Sequence, residues 1–102
     1  MSYDPLAALK KFNPSLVKKM MTNNQTAFAE GEIPIKIKYL IAMALDACEG
    51  SVNGVTSLAR QALQNGATEK EIAEVLEILH HICGAGSIYA ASNGLNALIE
   101  SH

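Results

Sequence analysis

The stretch "ALQNGATEKEIAEVLEIL", residues 62–79, decides the fold. Asn65-Gly66 is a helix stop, because glycine takes the left-handed conformation that closes a helix without a Cβ clash. Thr68 followed three residues later by Glu71 is a capping box, in which each side chain satisfies the other residue's backbone N–H. One helix therefore ends and the next begins within a few residues. Ile72, Leu76, Leu79 and, just beyond the run, Cys83 recur at helical spacing as one apolar stripe. Glu69, Glu71, Glu74 and Glu77 read as a solvated face with favourable charge near the helix start.

The same punctuation runs outward in both directions. Asp4-Pro5 and Asn13-Pro14 each read as an N-cap followed by proline at the first helical position. The second opens a helix over about 14–30, ended by Gly31, and the loop "GEIP" leads to a helix over about 35–49. Gly50 breaks that helix, and another over about 53–65 runs to the stop at Asn65-Gly66. The capped helix covers about 68–83, "GAG" at 84–86 interrupts it, and a last helix spans about 87–100. Strand signals are almost absent. The expectation is an all-α bundle of about five or six helices in a single domain over 1–102, with short connections that favour antiparallel neighbours.

With 49% hydrophobic residues in 102, the chain holds more apolar material than so small a body buries. Part of it is expected to face another subunit. Net charge is −2 with both signs dispersed, so no basic patch suits nucleic acid and no cationic amphipathic helix suits a membrane surface. The longest apolar run, "YLIAMAL" (39–45), stops at Asp46, far short of the roughly 20 residues that span a bilayer. "MSYDPLAALKKF" has neither an apolar core nor a small-residue cleavage site of a secretory signal. Two cysteines 35 positions apart do not make a disulfide scaffold, so a cytoplasmic protein with reduced thiols is the expectation.

A helix advances about 100° per residue, which assigns side chains to faces. Ile37, Ile41, Ala44 and Cys48 fall within a sector of about 60°, opposite Tyr39, Met43 and Asp46. Cys48 and Cys83 thus both sit on apolar stripes, and both are expected to be inert core residues in surroundings that disfavour the thiolate. A dithiol meeting across the core is the other arrangement the pattern allows. His80 lies at the flank of the Cys83 stripe and His81 points nearly away, so the adjacent histidines cannot readily grip one ion. His80 with Cys83 could share a metal, but zinc would want further ligands, and no CxxC or HxxxH is present. P-loop, GxGxxG and GxSxG patterns are missing, and no metal or cofactor is expected.

Three segments carry a resemblance. They are "NPSLVKKMMTNNQTAFAEGEIPIKIKYLIAMAL" (13–45), the "ALQNGATEKEIAEVLEIL" run, and "GAGSIYAASNGLNALIE" (84–100). In this order they resemble the entry helix with its "EG" turn, the "GAT" segment and the closing helix of the carboxymuconolactone decarboxylase and alkylhydroperoxidase D-like family. The likeness covers about residues 13–100. It implies a helical protomer that assembles into homo-oligomers, commonly trimers or hexamers. It also implies a peroxiredoxin-like redox branch built on Cys-x-x-Cys-x-x-x-His with a relay glutamate on the preceding helix. A decarboxylase branch lacks the paired cysteines and keeps the histidine position.

Carrying the family's spacing back from Gly66 puts its first cysteine at Ser51, its second at Gly54, its histidine at Leu58 and its glutamate at Tyr39. None of the four keeps the required side chain. Ser51 and Asn53 have a simpler reading as N-caps of the following helix. Tyr39 lies about 180° around its helix from Cys48, so Cys48 does not replace the lost cysteine. The resemblance therefore implies a divergent member with a degenerate site, binding a small molecule or a partner in a remodelled pocket at Tyr39, Ser51, Gly54 and Leu58. The alternative is an enzyme: a thiol-dependent peroxidase or disulfide reductase of antioxidant type using Cys48 and Cys83, with His80 nearby. A lactone-acid decarboxylase fits worst, since Leu58 replaces the histidine and Arg60 is the only arginine.

Overall fold

The computed structural model describes residues 4–100. It contains six helices: α1 (Ala7–Phe12), α2 (Pro14–Ala27), α3 (Ile35–Cys48), α4 (Val52–Gln64), α5 (Glu69–Cys83) and α6 (Ala85–Glu100). The class is all-α, as the punctuation implies, and no strand occurs among the described residues. Local chemistry accounts for most boundaries. The Asn13 side chain accepts from the Leu16 N–H at 3.1 Å, with Pro14 at the first helical position. At α5 both halves of the capping box form: Glu71 N donates to Thr68 Oγ1 at 3.1 Å, and Thr68 N donates to Glu71 Oε1 at 2.9 Å. Glu71 also pairs with Lys36 at 3.0 Å, so it ties the start of α5 to the start of α3 rather than standing on a solvated face.

Three boundaries differ from expectation. Asp4 does not cap α1 at once; its carboxylate takes the Leu6 N–H at 2.9 Å, and the helix starts at Ala7. Ser51 precedes α4 without a side-chain capping bond, and Asn53 lies inside that helix. The "GAG" break is shorter than it reads, because Gly84 alone takes positive φ (85°). Ser87 Oγ donates to the Gly84 carbonyl at 2.6 Å, and α6 resumes at Ala85 with Gly86 inside it.

Packing is centred on α4. Its Val55, Ala59 and Ala62 are fully buried, flanked by α3 on one side and α6 on the other, and α5 closes against α3 and α6. Small side chains let these helices approach closely. A Cβ at Gly94 would stand 2.7 Å from Val55 Cβ and 2.8 Å from the Val52 carbonyl, while Thr56 Oγ1 donates to the Gly94 carbonyl at 2.6 Å. By contrast α1 and α2 pack chiefly on each other and form an arm. Two contacts tie its base to the body: the Phe28 ring stacks on Tyr39 at 4.3 Å, and Lys38 Nζ donates to the Ala29 carbonyl at 2.7 Å. The Cα radius of gyration, 14.4 Å, exceeds the roughly 13 Å of a compact domain of this length.

The main correction concerns α3. Its buried residues are Leu40, Met43 and Ala47. The more apolar stripe of Ile37, Ile41, Ala44 and Cys48 only borders the core: Ile41 and Cys48 are exposed, while Ile37 and Ala44 are half-buried against it. The physical reason is fit. Met43 and the small Ala47 present a face that lies flush against α4, and burial follows the neighbour's shape as well as side-chain hydrophobicity. On α5 the expected stripe does face inward, with Ile72 and Leu79 buried and Leu76 and Cys83 half-buried.

Candidate functional site

Cys48 is the last residue of α3 and Cys83 the last of α5. Because these helices end side by side, the two Cα atoms stand 5.7 Å apart and the sulfurs form a disulfide. That separation lies within the usual range for the bond. The expectation of two inert, reduced core cysteines is therefore overturned. It failed with the α3 face: once that face is turned outward, Cys48 meets the end of α5 rather than the core. Cys48 is exposed and Cys83 half-buried, so the disulfide joins a residue open to solvent to a sheltered one.

The disulfide lies in the wall of an apolar cavity of about 430 Å³ between α3 and α5. The wall consists of Ile37, Leu40, Ile41, Ala44 and Leu45 from α3, and Val75, Ile78, Leu79 and Ile82 from α5, together with both cysteines. This volume falls within the ordinary range for small-molecule pockets. The wall has no charged side chain, so it favours an uncharged, apolar occupant. Both sulfurs stand at helix C-termini, where the last carbonyls oppose developing negative charge. Leu45, Ile78 and Ile82 of the wall fall on neither stripe read from the sequence. Their signal is present all the same: Leu45 follows Ile41 by four residues, and Ile78 and Ile82 form a second apolar pair at i and i+4 on α5.

His80 is exposed and lines a separate surface depression with Leu76, Glu77 and Ile88. It is not part of the cavity wall, and Cys83 is committed to sulfur, so the His80–Cys83 pair offers no half-site for a metal. The structure thus brings together two of the three alternative candidates and leaves the third aside.

The four positions of the family motif lie elsewhere, and none lines the cavity. Tyr39 is stacked on Phe28 in near-parallel geometry (10°), at the base of the arm. Ser51 is exposed, and Leu58 is half-buried against the core. Gly54 meets α3 so closely that a Cβ there would run into the Asp46 carboxyl group, with Cγ at 2.8 Å. The Asp46 carboxyl thus occupies the volume a side chain at position 54 would need. Burial, and secondarily the negative charge of Glu49, raises its pKa above the ordinary 3.8.

These features define an all-helical chain whose cysteine pair borders an apolar cavity. The family model for the carboxymuconolactone decarboxylase family matches residues 14–97. The chain belongs to that family. A crystal structure of the apo form of a carboxymuconolactone decarboxylase family protein from Legionella pneumophila superposes with a TM-score of 0.83 at 28% identity, covering 93% of this chain and 85% of that one. An uncharacterized protein of Cupriavidus necator is 33% identical over 85 residues, covering 82% of this chain and 75% of its own length.

Proposed function

We propose that the chain is a thiol-dependent oxidoreductase whose working pair is Cys48 and Cys83, acting on an apolar organic hydroperoxide held in the α3–α5 cavity. The observation that carries this reading is the joining of two cysteines, 35 residues apart, in the wall of an apolar cavity, with Cys48 exposed. The binding place then moves from the vacated motif positions to the opposite side of α3.

The exposed Cys48 is the attacking thiol. Solvent, against the opposing helix end, supports its thiolate, which takes the distal peroxide oxygen; the O–O bond breaks, and the alkoxide leaves and is protonated by water to the alcohol. Cys48 is then a sulfenic acid. The Cys83 thiol attacks that sulfur, water leaves, and the disulfide of the structure results. A dithiol reductant returns both sulfurs to the reduced state by thiol–disulfide exchange, entering at the exposed Cys48.

The test is consumption of cumene hydroperoxide and of hydrogen peroxide with dithiothreitol as reductant. The expected result is turnover that prefers the organic hydroperoxide, disappears in Cys48→Ser, and in Cys83→Ser leaves a trappable sulfenic acid on Cys48. Turnover unchanged in Cys48→Ser, or a native disulfide that dithiothreitol does not reduce, overturns the reading.

A further inference from the structure

The α3–α5 cavity is a groove tied at both ends. The two helices run side by side in the same direction. Near their starts Lys36 pairs with Glu71 at 3.0 Å, and at their last residues Cys48 is bonded to Cys83. Between these ties Leu40 and Leu79 are buried, while Leu45, Ile78 and Ile82 on the rim are 63%, 66% and 72% exposed. The ties differ in kind. The ion pair is partly exposed and opens without chemistry. The disulfide opens only when a reductant supplies two electrons and two protons. Past each sulfur the chain turns away, since Gly50 and Gly84 take positive φ (80° and 85°). Neither helix continues beyond its cysteine to hold the ends together once the bond is cut.

We propose that the Cys48–Cys83 bond is a latch: oxidised, it closes one end of the groove over an uncharged apolar guest, and reduced, it opens that end and releases the guest. The guest's identity rests on the redox reading, in which it is the alcohol left by the hydroperoxide. The wall has no charged side chain, so it suits the neutral alcohol as it suits the neutral hydroperoxide. While the bond holds the Cα atoms 5.7 Å apart, the groove is ordered before its guest arrives, which favours binding. Free thiol sulfurs rest roughly 4 Å apart, about twice the length of a disulfide bond, so reduction parts the helix ends. An order of steps follows. The reduced groove admits the hydroperoxide, the disulfide forms over the alcohol, and the dithiol that resets the sulfurs also frees the product. The coupling is reciprocal: a guest that prefers the oxidised form makes the disulfide harder to reduce by the same factor.

The test uses the whole chain and no peroxide. The neutral fluorophore N-phenyl-1-naphthylamine is titrated into oxidised protein and into protein held in dithiothreitol, with cumyl alcohol as competitor. The oxidised form is expected to bind the probe at least about fivefold more tightly, the low end of ordinary coupling between sites, and cumyl alcohol to displace it. Saturating cumyl alcohol is expected to shift the dithiothreitol equilibrium of the disulfide by the factor that separates its own two affinities. The double change Cys48→Ser with Cys83→Ser is expected to bind as the reduced protein does, with or without dithiothreitol. Ile78→Gln, on the exposed rim, is expected to weaken binding by the oxidised protein.

Equal affinity in the two states overturns the proposal, as does tighter binding by the reduced form or a dithiothreitol effect that survives in the double variant. Loss of far-UV helicity on reduction also overturns it, because release would then be unfolding. Oxidised protein that takes up no probe overturns it too, and sedimentation shows whether a second copy fills the groove instead. Redox-dependent binding without peroxide turnover sinks the redox reading and leaves the latch, whereas turnover with redox-independent binding does the reverse.

Discussion

The two faces of α3 are both apolar, yet they meet opposite fates. On one, Met43 and Ala47 disappear against α4, part of a packed seam that continues on the other flank of α4, where the Gly94 notch of α6 closes on Val55. On the other, Ile41, Leu45 and Cys48 line an open cavity whose far wall is α5. Side-chain size does not separate them, since Met43 is as large as Ile41 or Leu45. The contrast teaches that close approach of helices, not the bulk or hydrophobicity of a side chain, selects the core here. The seam is held by shape, whereas the open side is held at its end by a covalent bond.

That difference predicts where the chain breaks. The largest effect should come from the open side, where the disulfide closes a loop of 35 residues. Reducing it, or changing Cys83 to Ser, is expected to cost about 2–4 kcal/mol, read as a lower urea midpoint. Equal midpoints for oxidised and reduced protein would mean that packing alone secures both faces. Next comes the seam. Gly94→Ala forces a methyl group onto Val55 and the Val52 carbonyl and is expected to cost about 1–3 kcal/mol. In the same helix Gly86→Ala meets nothing within 4 Å, and is expected to stabilise by about 0.5–1 kcal/mol through helix propensity. If both changes moved stability the same way, close approach would not be what distinguishes the seam.

Much of the fold was legible because it is written in local chemistry. The Thr68–Glu71 box, the Asn13-Pro14 cap and the Asn65-Gly66 stop each act within a few residues, so the helices could be placed from sequence. The family resemblance was legible from the same segments. The side of α3 that faces inward was not. Helical geometry set Tyr39 opposite Cys48, and Tyr39 stacks on Phe28 while Cys48 lines the cavity; but which side packs depends on the shape of α4, and no property of α3 alone reports that. The disulfide was hidden by the same error. Its remaining trace is positional: each cysteine is the last residue of its helix, and α3 and α5 end together.

The smallest predicted effect lies at the one acidic group on the packed side of α3. Asp46 is half-buried beside Gly54, and burial, followed by the charge of Glu49, raises its pKa from 3.8. The folded state therefore binds this proton more tightly than the unfolded chain does. Below the unfolded value the carboxyl is neutral in both states and contributes no penalty. As pH rises through the folded value the carboxylate forms in the less favourable site, and stability falls to a lower plateau that persists at neutral pH. Asp46→Asn keeps the shape that fills the Gly54 notch and removes the charge. It is expected to raise Tm at pH 7, with the gain shrinking to nothing as pH drops below 3.8. Glu49→Gln, which removes the lesser cause, is expected to give a smaller rise. A gain for Asp46→Asn that persists unchanged in acid would assign the effect to packing in the notch, and the seam would then owe nothing to the state of this proton.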